Sequence, residues 1–110
     1  MPLVLTIEGA RRIAEGTGKY AGRRGPFWCG RDGKWHDTWP EGGPVAVKMG
    51  VCRSDLPEPV WIVVDLRGTY REAERDEALL ANEAELRALY RAFPEALEVF
   101  IPQATGEGEP

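Results

Sequence analysis

The 110 residues are 43% hydrophobic, enough for one compact core and too few for two. Fourteen Lys and Arg stand against eighteen Asp and Glu, a net charge of −4, which excludes capture of a polyanion by the surface as a whole. The longest mostly apolar run, residues 60–66, contains Asp65 and falls short of the roughly 20 residues of a membrane-spanning helix, so no membrane partner is expected.

In chain order, residues 3–7 form a short β-type run. Its lack of a basic stretch before it and of a small-residue cleavage site after it predicts a folded strand in a cytoplasmic protein rather than a secretory signal. Residues 8–15 follow with Ile7, Ala10 and Ile13/Ala14 at helical spacing, and Gly16 and Gly18 act as stop signals, which predicts a two-turn helix with Arg11 and Arg12 on its solvated side. Aromatic and turn residues then dominate. Residues 26–29 form one strand, Asp32-Gly33 is a hairpin turn signal, and Trp35 is expected as the cross-strand neighbour of Trp28. Val45, Val47, Met49 and Val51 alternate with Ala46, Lys48, Gly50 and Cys52, the period of two of a half-buried strand over residues 45–52. A Pro-rich turn leads into a β-branched run over residues 60–65.

Residues 70–93 are rich in Glu, Ala, Leu and Arg without an internal Gly or Pro, which predicts one long helix closed by Pro94. Leu79, Leu86, Leu89 and Phe93 define a stripe expected to face Val47, Val51, Ile62 and Val64, with Arg75, Glu77, Glu85 and Arg91 opposite. The expected fold is α+β: an antiparallel meander of three or more strands packed against a long C-terminal helix, with a short N-terminal helix. One domain is expected over residues 1–103, with a disordered tail over 104–110.

The side chains that carry chemistry are few. Cys29, His36 and Cys52 lack the short knuckle and the fourth ligand of a structural zinc site, so no metal is expected, and both thiols are expected to be reduced. His36 is the only histidine and reads as a surface or packing residue. No nucleophile-elbow, zinc-protease or phosphate-loop pattern occurs, which predicts a non-enzymatic protein without a cofactor. Charge is unevenly spread: residues 1–53 hold nine basic and five acidic side chains, a balance of +4, and residues 54–110 hold five and thirteen, a balance of −8. Phosphate contacts are therefore expected on the N-terminal half.

A resemblance lies on Ile7-Glu8-Gly9, Arg12-Ile13-Ala14-Glu15, Thr17-Gly18-Lys19-Tyr20-Ala21-Gly22, Phe27-Trp28-Cys29 and Asp32-Gly33-Lys34-Trp35. It continues through Pro44 to Arg53, Glu58-Pro59-Val60-Trp61 and the helix segment Arg91-Ala92-Phe93-Pro94-Glu95. In order and spacing these resemble a shortened core of the phage recombination protein Bet, in the RecT and lambda Red beta group of single-strand annealing proteins. The resemblance implies a non-catalytic, homo-oligomeric protein that binds single-stranded DNA and anneals it in recombination. Arg23, Arg24, Arg31, Lys34, Lys48 and Arg53 would supply charge, and Trp28 and Trp35 stacking faces. Where the family carries cations on its helix this chain has Asn82, Glu83 and Tyr90, so weak, micromolar binding is expected. The alternative expectation is an interaction protein that keeps the annealing-protein fold, with Glu72, Glu74, Asp76, Glu77, Glu83 and Glu85 facing a partner protein.

Overall fold

The computed structural model describes residues 3–67, 76–98 and 100–102. Residues 70–75 of the predicted long helix, including Glu72, Glu74 and Arg75, and the tail over 104–110 lie outside the described residues, and Asp76, expected inside that helix, is extended (φ −124°, ψ 128°), so the helix begins only at Glu77. The elements in order are β1 (Leu3–Leu5), α1 (Ile7–Gly16), β2 (Tyr20–Cys29), β3 (Trp35–His36), β4 (Ala46–Arg53), β5 (Val60–Asp65), α2 (Glu77–Ala92), α3 (Pro94–Leu97) and β6 (Phe100–Pro102). The fold is α+β. A four-stranded antiparallel sheet, ordered β3-β2-β4-β5, carries α2 on one face, and β1 pairs in parallel with β6 in a separate two-stranded ribbon.

The two longer helices begin as their sequence dictates. Thr6 caps α1 by accepting from the Gly9 amide at 3.1 Å, and Asp76 caps α2 by accepting from the Leu79 amide at 3.0 Å. Phe93, at φ −129°, has already left the α region ahead of Pro94, which ends α2 at Ala92 and opens the four-residue α3.

The core lies between the sheet and the helices. Val47, Met49 and Val51 of β4 and Ile62 and Val64 of β5 meet Leu80, Ala84, Leu86, Ala88, Leu89, Ala92 and Phe93, and Ala10 and Ala14 of α1 join the same cluster. Trp28 is buried on this side, edge-on to Trp39 with ring centroids 4.9 Å apart. Its strand neighbour is His36, whereas Trp35 lies opposite Cys29, so the expected pairing of Trp28 with Trp35 is off by one residue. A one-residue offset in a strand moves a side chain to the other face. Trp35 accordingly lies on the other side, the uncovered face, over which no helix among the described residues packs.

Two expectations for the long helix are corrected. Glu83, Ala84, Glu85 and Leu86 are all buried, although Asn82 before them is exposed and Arg87 after them only half-buried, so burial in the middle of α2 reaches well beyond the expected stripe. α1 packs against α2, and Arg11 reaches from α1 to Glu85, which explains why Glu85 is inside rather than on a solvated face. Leu79 sits in the first turn, ahead of the enclosed stretch, and is 58% exposed.

Removing side-chain volume along α2 therefore has unequal effects. Leu86→Ala should lower unfolding free energy by about 2–5 kcal/mol in a urea titration, and Leu79→Ala by less than about 0.5 kcal/mol. Equal losses at the two positions would contradict this placement of the helix.

Candidate nucleic-acid interface

The pleat of β2 decides which side of the sheet each N-terminal cation occupies, and two irregularities reset that pleat. Tyr20 and Arg23 pair with Arg53 and Val51, and Arg24 and Phe27 pair with Gly50 and Lys48. In each interval β2 advances three residues while β4 advances two, the signature of one extra residue in a β-bulge. Gly22 and Gly25, at φ +103° and +101°, supply the left-handed backbone within these intervals.

Residues paired across the sheet share a face, so the register assigns sides directly. Arg24–Gly50–Trp61, Phe27–Lys48–Val63 and Cys29–Ala46–Asp65 form three rows on the face away from α2, and Trp35 extends the third row through Cys29. A side chain at Gly50 would strike the Trp61 ring, 3.0 Å from where its Cβ would be, so glycine is what lets the indole lie flat across β4. Trp35 and Trp61 are each 39% exposed. The ammonium of Lys48 lies 4.7 Å from the Trp35 ring centre, 5.2 Å from Trp61 and 5.8 Å from Phe27. Each contact is in cation–π range, and together they hold the three rings around one positive charge.

The other face takes several residues expected at the interface. Arg23 pairs with Glu85, whose carboxylate is 1% exposed and also accepts from Arg11 Nε and Nη2 at 2.7 and 2.6 Å. The hydrogen bond to Glu85 raises the Arg11 pKa. Arg53 donates to Asp55 at 2.9 and 2.8 Å, to the Ala92 carbonyl and to Glu95 at 3.2 Å, and stacks 4.8 Å from the Phe93 ring centre. The guanidinium pulls the Asp55 carboxyl down to about 2, chiefly through its hydrogen bonds. Trp28 is buried in the core and offers no stacking face.

The structure thus divides the expected site. Arg24, Lys48 and Trp35 share the uncovered face, Arg23, Arg53 and Trp28 lie on the helix side, and Arg31 and Lys34 are in the exposed loop between β2 and β3. Phe27 and Trp61 belong to the uncovered face and were not among the expected residues. The signal for Trp61 was present in its strand, where it alternates with the core residues Ile62 and Val64.

At the hairpin end, Gly30, Arg31, Asp32, His36, Thr38, Trp39, Pro40 and Glu41 line a 420 Å³ hollow. There His36 Nε2 lies 3.3 Å from Asp32, whose carboxyl is held below its ordinary value first by the Lys34 amide and then by His36. Cys29 and Cys52 are free thiols. Among the described residues no group of three or more His, Cys, Asp or Glu is placed to hold a metal ion, and no helix is long and apolar enough to cross a membrane.

The acidic helix is likewise not a single outward face. Glu83 pairs with Arg87 and Glu85 with Arg11 and Arg23, Asp76 caps the helix, and Glu77 is exposed. Compared with known proteins, the chain matches no family model, no curated protein and no solved structure.

Because two cations share the Glu85 carboxylate, neither alone leaves it unpaired. Arg11→Met and Arg23→Met should each cost about 1–2 kcal/mol of stability, and the double variant about 3–5 kcal/mol, when the buried carboxylate loses both partners. Denaturant titrations of the three variants check this, and a double-variant loss below about 1 kcal/mol would contradict it.

Proposed function

We propose that the chain binds single-stranded DNA across the uncovered face of the sheet, without catalysis. The observation that carries this reading is the cluster of Phe27, Trp35 and Trp61 around Lys48, with Arg24 in the same row as Trp61. Single-strand binders combine aromatic side chains on which bases stack with cations that meet the phosphates, and both elements occur here on one surface. An uncovered face bearing two half-exposed indoles and Val63 at 60% exposure also places apolar area in water, which flat base surfaces would cover. The resemblance to Bet-type annealing proteins supports the same reading and adds its purpose, which is to hold a strand with its bases available to a complement.

Affinity should be modest. Arg23 and Arg53 are committed to carboxylates within the protein, and the net charge of −4 opposes the approach of a polyanion. Binding of a labelled oligothymidine, followed by fluorescence anisotropy at several salt concentrations, is expected in the micromolar range. Trp61→Ala should weaken it by about 1–3 kcal/mol. Arg24→Gln should lower the salt slope by about one phosphate contact, and Arg23→Gln should leave the slope unchanged. An unchanged affinity in Trp61→Ala, or equal slopes in the two arginine variants, would overturn the assignment of this face.

A further inference from the structure

The two edges of the sheet are built differently. β3, at one edge, is only two residues long, one of the ways in which natural sheets blunt an exposed edge. β5, at the other, runs Val60-Trp61-Ile62-Val63-Val64-Asp65 without a Lys, Pro or Gly, and it pairs with β4 over six residues without a bulge. Among the described residues it pairs with β4 alone. Its outer backbone groups form a straight apolar template of the kind that accepts another strand.

A 330 Å³ hollow lies along this edge, lined by Ile62, Val63, Val64, Arg87 and Arg91. Ile62 and Val64 point to the helix side and Val63 to the uncovered side, so a hollow that takes in all three opens on the strand's edge rather than on either face. Its far wall is cationic. Arg87 spends one amino group on Glu83, and its Nε is buried without a hydrogen-bond partner. Arg91, one turn on, is exposed and has no ion-pair partner among the described residues.

The spacing selects the occupant. Residues four apart on a helix are offset by about 6 Å along its axis, and side chains two apart on a strand by about 6.7 Å, so two guanidinium groups at Arg87 and Arg91 match carboxylates at alternate positions of an extended chain. We propose that the free edge of β5 captures an extended acidic peptide as a fifth strand, with alternate carboxylates paired to Arg87 and Arg91 and the intervening apolar side chains beside Val63 on the uncovered face. A second copy of this chain is a poor occupant. Its β5 would bring Ile62 and Val64 to the helix side, where carboxylates are wanted, and its own Arg87 and Arg91 would approach the first pair with like charge. The proposal does not depend on nucleic-acid binding, which uses the face rather than the edge.

The test uses a fluorescent peptide of about eight residues alternating Glu and Val, titrated with the full chain and read by anisotropy. Controls are the same peptide with Lys in place of Glu, and two forms N-methylated at one or the other alternate set of amides. The Glu peptide should bind. Replacing Glu with Lys, or introducing Arg91→Glu with an unchanged circular dichroism melt, should each weaken binding about tenfold or more. One of the two N-methylated peptides should lose binding and the other retain it, because only one set of amides faces β5. No binding by the Glu peptide, equal binding by the Lys peptide, insensitivity to both methylation patterns, or a concentration-dependent dimer that excludes the peptide would overturn the proposal.

Discussion

A sheet that, among the described residues, is covered by helices on one side only must sort its side chains into two sets, and here that sorting decides what the molecule offers to a partner. α2 covers one face of the four-stranded sheet, and Val47, Met49, Val51, Ile62 and Val64 fill the space between. The residues that alternate with them, among them Lys48, Gly50, Trp61 and Val63, are left on the other side, joined by Arg24, Phe27 and Trp35 through register. The clustering of rings around Lys48 follows from this geometry. Rows of paired residues bring side chains from distant parts of the chain within a few ångströms of one another.

The same sorting explains the charge asymmetry between the halves of the chain. Part of the basic excess of residues 1–53 is answered inside the protein by the acidic excess that follows, because Arg11 and Arg23 converge on Glu85, Arg53 on Asp55 and Glu95, and Lys19 on Asp55. Glu85 has the largest role of these. As a buried carboxylate between two guanidinium groups it ties α1, β2 and α2 together, and its burial is tolerable because both partners reach it. What remains on the open face is a smaller set of cations than the composition suggests, in closer company with aromatic rings.

Much of the fold was legible because it rests on local signals. The alternation in β4, the β-branched run of β5, the Asp32-Gly33 turn and the helix-forming stretch ended by Pro94 each declare themselves within a few residues. What was not legible depends on contacts far apart in sequence. The bulges at Gly22 and Gly25 shift the pleat of β2, and with it the side taken by Arg23, in a way that a period-two count across residues 20–29 does not reveal. The packing of α1 on α2 turns Glu85 inward although its position reads as part of a solvated face, and the pairing of β1 with β6 joins the two ends of the described chain. For the candidate site, the sequence offered aromatic and cationic residues without saying which side of the sheet each takes. Register places Trp28, Arg23 and Arg53 on the helix side and Phe27 and Trp61 on the opposite face.

On the proposed reading, nucleic acid meets the uncovered face and not the helix side. The most direct measurement is an amide and indole chemical-shift titration of the isotope-labelled chain with oligothymidine. The largest changes are expected on the Trp35 and Trp61 indoles and on the amides of Arg24, Phe27, Lys48 and Val63, with little movement at the Trp28 indole or along α2. Changes centred on α2, or spread evenly over both sides of the sheet, would contradict it.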